Sequence, residues 1–217
     1  MINRFLRVGF AAIALSASAA LAADSYRITA AFDTVFDADG RIVVLQPHEE
    51  ADYPAAFWDG LRQRVQGLRI TAPLDASGRP AMLSTGLYVQ VEVSAGRDGG
   101  QLKIVGMDVQ PLVMKRGYVG YPEDIAGAAG WTGSVDAECL LGTDGRCGEV
   151  RVKALPGMPP SVLRWAQVTL ALWEFKPPRI NDVPFAVPVK QAFGLQTKDD
   201  VPVNFLQRGS GNAPFRW

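Results

Sequence analysis

The sequence predicts an α+β fold assembled from strand hairpins and single helices. Two stretches alternate polar and apolar residues on either side of an Asp-Gly-Arg turn, at Asp39-Gly40-Arg41 and Asp144-Gly145-Arg146. Each is followed by one helix-periodic segment, and each helix by a proline-containing stretch that leads into another apolar strand. A side-chain period of two and a period of 3.6 therefore succeed one another twice along the chain.

The first 22 residues stand apart. Arg4 and Arg7 form a positive lead, residues 8–15 an apolar core, and Ala20-Leu-Ala22 a small-residue cleavage site. This predicts a secretory signal peptide over residues 1–22. A membrane anchor is the competing expectation. Only sixteen residues separate Arg7 from Asp24, fewer than the ~20 a spanning helix needs. Removing the leader takes two arginines from a chain with 22 basic and 22 acidic side chains. A mature balance near −2 gives no basic field for nucleic acid or an anionic membrane. Export also permits disulfides, and Cys139 and Cys147, the two cysteines of the chain, make one bridge with no thiol left over.

Residues 26–36 place Ile28, Ala30, Phe32, Thr34 and Phe36 on one face of a half-buried strand. Asp37-Ala-Asp-Gly40 turns the chain, and residues 41–45 return. Residues 54–66 carry Phe57, Leu61 and Val65 at helical spacing, with Pro54 at the start and Gly67 at the end. Residues 82–93 and 101–109 form a second hairpin. Tyr121-Pro122 introduces a short helix. Residues 133–141 alternate again, with Val135, Ala137, Cys139 and Leu141 on one side. After the turn Gly142-Thr-Asp-Gly145 the parity slips, because apolar Val150 and Val152 follow Cys147 at odd spacing. One extra residue at Gly148-Glu149, a β-bulge, restores the alternation and turns Cys147 to the side of Cys139. Residues 160–172 are helical, with Val162, Trp165, Ala166 and Leu170 on one face.

The two halves superpose at a constant offset of 105 positions. Asp39-Gly40-Arg41 meets Asp144-Gly145-Arg146; Leu68, Ile70 and Pro73 meet Trp173, Phe175 and Pro178. One residue is then dropped, so Gly78 and Pro80 meet Asp182 and Pro184. The expected organisation is a unit over residues 23–110, a second over 111–195, and a tail over 196–217.

The second unit resembles the C-terminal domain of TonB, the periplasmic end of the energy transducer that works with outer-membrane receptors. The resemblance spans residues 121–195. It is carried by Tyr121-Pro122, Gly133-Ser-Val135, Asp144-Gly145-Arg146, Trp173-Glu-Phe-Lys-Pro177, Asn181-Asp-Val-Pro184 and Val187-Pro-Val-Lys-Gln-Ala-Phe193, in that order and spacing. The first unit matches only in its second half. The resemblance implies two tandem units, each an antiparallel sheet packed against one or two helices, with Trp173 and Phe175 as core anchors. It also implies a periplasmic protein whose partner is another envelope protein, such as a TonB-dependent outer-membrane receptor. An extended segment of that partner adds to the edge of the last strand. Tyr121, Pro122 and the strand bearing Val187, Val189, Gln191 and Phe193 are the candidate binding positions. The chain departs from the family in having no long proline-rich spacer, its fifteen prolines being scattered. A cleaved leader gives a non-energised binding protein or scaffold, and a retained one gives a membrane-anchored transducer. Residues 201–206 of the tail are a further candidate strand for that same edge.

Enzymatic chemistry finds little footing. His48, the single histidine, lies beside Glu49 and Glu50 in what reads as a solvated charge run. No second His and no unpaired Cys completes a zinc site or a Cys–His pair. Asp37/Asp39 and Asp199/Asp200 read as turn and tail residues. No enzyme activity, cofactor, metal or small-molecule substrate is expected.

Overall fold

The computed structural model describes residues 25–48, 52–96, 99–153 and 156–197. The expected signal peptide and tail residues 198–217 lie outside them. In chain order the elements are β1 (Ser25–Phe36), β2 (Ile42–Pro47), α1 (Ala55–Val65), β3 (Leu83–Gly96), β4 (Gly99–Gln110), β5 (Leu112–Lys115) and α2 (Glu123–Ala126). They continue with β6 (Thr132–Leu141), β7 (Cys147–Val152), α3 (Pro160–Ala171), β8 (Glu174–Lys176), β9 (Arg179–Ile180), β10 (Val183–Pro184) and β11 (Val187–Gln196). All strand pairs are antiparallel. The fold is a strand-rich α+β arrangement.

The first sheet runs β10-β9-β3-β1-β2, with β4 also on β3; the second runs β11-β6-β7; β5 and β8 form a short third pair. On β1, Ala30, Phe32, Thr34 and Phe36 are buried while their neighbours face outward, as alternation dictates. The helix α1 covers this face with Trp58, Leu61 and Val65. Trp58, not Phe57, takes the deep position: its ring meets Phe32 edge-on at 5.4 Å, while Phe57 stays half-buried against Tyr53. In the second sheet α3 buries Val162, Trp165, Ala166 and Leu170. Trp165 and Trp173 both pack edge-on against Phe193, with centroids 5.5 Å away in each case.

The parity slip on β7 is a bulge. Cys139 faces Val150 and Leu141 faces Cys147, so two steps on β6 oppose three on β7. Cys139 and Cys147 are bridged, with their Cα atoms 5.6 Å apart. The same register occurs 105 positions earlier, where Thr34 faces Leu45 and Phe36 faces Ile42. Leu83 faces Phe36 as Val187 faces Leu141. The post-helix segments dock alike: the Ile70 amide donates to the Gly40 carbonyl and the Phe175 amide to the Gly145 carbonyl, both at 2.9 Å.

The halves are joined through β9. Its two residues pair with Leu83 and Ser84 at the start of β3. Asn181 and Asp182, both at positive φ, form the two-residue turn to β10, which suits Asn and Asp. Asn181 also holds Met82 twice: its amide donates to the Met82 carbonyl and its side-chain oxygen accepts from the Met82 amide, each at 3.0 Å. The Lys176 ammonium donates to Asp33. His48 is half-buried, not a fully solvated member of a charge run as its acidic neighbours suggested. It directly follows β2 and its Nε2 lies 3.0 Å from the Val113 carbonyl, bracing the connection between halves.

Candidate functional site

β11 pairs along one side with β6 over its whole length. No strand pairs with its other side among the described residues. The direction of its backbone groups follows from one bond: the Thr197 amide donates to the Trp131 carbonyl on the β6 side at 2.9 Å. Because antiparallel pairing alternates, odd-numbered residues of β11 face β6 and even-numbered ones face away. Pro188, which has no N–H, falls on the outward side, where it costs no ladder bond. The outward groups are then the N–H of Lys190, Ala192 and Gly194, and the carbonyls of Pro188, Lys190, Ala192 and Gly194. The Ala192 carbonyl accepts from the Gln191 side chain at 2.7 Å.

Tyr121 sits at the far end of this edge. It is half-buried, with its ring 6.1 Å from that of Trp165. Burial raises the pKa of its phenol, and contact with the Gln196 backbone works in the opposite direction. Pro122 immediately precedes α2 and sets the direction in which the chain leaves Tyr121. Behind it, the Trp165 and Trp173 indoles donate to the Val119 and Gly117 carbonyls, both at 3.2 Å, fixing the lead segment to the core.

β3 occupies the place in the first sheet that β11 holds in the second, and its outer side is filled. β4 pairs with it from Gly86 to Gly96, and β9 takes Leu83 and Ser84. No family model, curated protein or solved structure matches the chain.

Of the residues expected to bind a partner, Val189 and Phe193 are buried in the core, and Val187 and Gln191 are half-buried on the same face. Their side chains belong to the core face and their backbone groups to β6. What β11 offers outward comes from Lys190, Ala192 and Gly194 between them. Pro188 was the signal for this: a proline inside an apolar strand marks the side that bonds to nothing. Tyr121 and β11 meet at Gln196.

Elsewhere an open depression of about 680 Å³ lies beside the β6–β7 hairpin, lined by Glu138, Arg146, Glu149, Arg151 and the disulfide. Its Glu149 and Arg151 pair with each other at 3.3 Å on an exposed surface. Among the described residues no group of three or more His, Cys, Asp or Glu is placed to hold a metal. No described helix is long and apolar enough to cross a membrane.

Proposed function

We propose that the chain is a periplasmic protein of two tandem TonB-C-terminal-like units. Its second unit binds an extended segment of an envelope protein, such as an outer-membrane receptor, by strand addition to β11. One observation carries the binding role: among the described residues β11 keeps an unpaired edge where β3, at the same place in the first sheet, has its edge filled. The shared hairpin register and post-helix docking support the tandem arrangement. An added strand gains backbone bonds at Lys190, Ala192 and Gly194, each worth about 1 kcal/mol net. Side chains beside Tyr121 then set selectivity.

Calorimetry with synthetic N-terminal segments of outer-membrane receptors tests this, using the full chain and a chain ending at Thr197, which keeps every described element. Binding is expected, and Ala192→Pro is expected to weaken it about fivefold by removing an outward N–H worth about 1 kcal/mol while sparing the bonds to β6. An absence of heat with both chains rejects the proposal.

A further inference from the structure

β4 carries a longer open edge than β11. It pairs with β3 along one side, and among the described residues no strand pairs with its other side. Apolar edges invite a further strand unless a bulge, a charge or a proline guards them. The register of β4 slips once: Val91 faces Ile104 while Gln90 faces Gly106, so Val105 is an extra residue. This bulge aligns the apolar side chains. It turns Leu102, Ile104, Met107 and Val109 to one face, opposite Val93, Val91, Val89 and Leu87. Leu102 and Ile104 pack against the core that α1 closes, whereas Met107 and Val109 stay 46% and 37% exposed. Half of the apolar row is covered and half is bare.

We propose that two copies of this chain associate through β4, edge to edge and antiparallel, about a two-fold axis between Val105 and Gly106. Such a contact needs a patch that complements itself, and this strand does so in one register. Rotation about the axis sets Leu102 opposite Val109 of the second copy and Ile104 opposite its Met107. On the other face it sets Lys103 opposite Asp108, twice by symmetry. Both side chains are exposed, and neither has an ion-pair partner among the described residues. Val105 meets Gly106, and one extra residue in each copy keeps the two strands in step. The bare half of each apolar row then lies beside the half that α1 covers in the other copy. A shift of one position sets Asp108 opposite Leu102 or Ile104 instead, which buries a charge against an apolar side chain. β2, at the opposite side of the sheet, is six residues long and ends in Pro47, so it offers a poorer edge. β11 takes no part, and the peptide-binding proposal stands or falls separately.

Sedimentation equilibrium of the full chain over a concentration series tests this. A reversible dimer is expected, and a weak one, because a single strand edge buries little area. Asp108→Lys sets a lysine opposite Lys103 at both symmetric positions and is expected to raise the dissociation constant about tenfold. Adding Lys103→Glu to that variant restores opposite charges with their sense reversed. It is expected to return the constant to within about threefold of the parent value. Urea midpoints show whether each variant keeps its fold. Hydrogen exchange on the parent reads the same contact without any substitution and decides the matter if a variant fails to fold. The β4 amides should exchange more slowly as concentration rises, while those of β2 stay unchanged. A parent chain that remains monomeric at ~1 mM overturns the proposal. So does β4 exchange that ignores concentration, or a dimer that Asp108→Lys leaves unaltered. A folded double variant that dimerises no better than Asp108→Lys overturns it as well.

Discussion

Replacing Gly145 with alanine measures how much of the second unit hangs on one backbone contact. Gly145 has φ of 80°, and a Cβ built there lies 2.2 Å from the Phe175 carbonyl oxygen. The left-handed conformation alone costs an alanine about 1–2 kcal/mol. To bring the contact to the 3.0 Å that real Cβ atoms keep, the post-helix segment must retreat from the turn. That breaks the bond from the Phe175 amide to the Gly145 carbonyl, worth about 1 kcal/mol. It also loosens Trp173 and Phe175, both buried against the α3 face. The expected loss is about 3 kcal/mol, read from urea unfolding followed by tryptophan fluorescence. Gly78→Ala is the control, since Gly78 has φ of 77° and nothing within 4 Å of the added Cβ. It pays only the conformational cost. If both variants lose the same amount, the close approach of turn and post-helix segment contributes nothing and the reasoning fails.

The Thr169 hydroxyl is fully buried in α3 without a hydrogen-bond partner, so Thr169→Val should raise stability by about 1 kcal/mol in thermal or urea unfolding. Thiol titration of the unfolded chain without reductant should find no free thiol. Reducing the bridge, whose cysteines are 8 apart in sequence, should cost about 2 kcal/mol by releasing a short loop in the unfolded state. Asp75 accepts hydrogen bonds from Ser77 and from the Arg79 amide, which hold its pKa down at about 2. Because the folded value lies below the unfolded one, its contribution is present above about pH 4 and disappears as pH falls towards 2. Stability should fall less over that window in Asp75→Asn than in the parent, measured by urea midpoints at stepped pH.

The local elements were legible because their signals are local. The parity slip after Cys147 located the bulge at Gly148-Glu149, since apolar residues on a strand must return to one face. The helix over residues 55–65 was legible too, but its deepest residue was misplaced. Phe57, Leu61 and Val65 fit helical spacing as well as Trp58, Leu61 and Val65 do, and only the position of Phe32 decides between them. The resemblance pointed to β11 as the candidate strand, yet its outward backbone groups belong to the residues between those singled out. Which backbone groups face outward depends on register with β6, and Pro188 alone hinted at it. The joint through β9, Asn181 and Met82 carried no sequence mark at all. Pairing between distant segments leaves no periodicity in either one, and His48 likewise gained its role from Val113, 65 positions away.

That joint bears on how the chain is made. The turns at Gly40 and Gly145 close over a few residues, so their hairpins assemble as soon as they are synthesised. The start of β3 waits for Asn181, 99 positions after Met82. Until that residue emerges, Leu83 and Ser84 at the start of β3 lack their outer partner, a short open stretch of the kind of edge on which nascent chains aggregate.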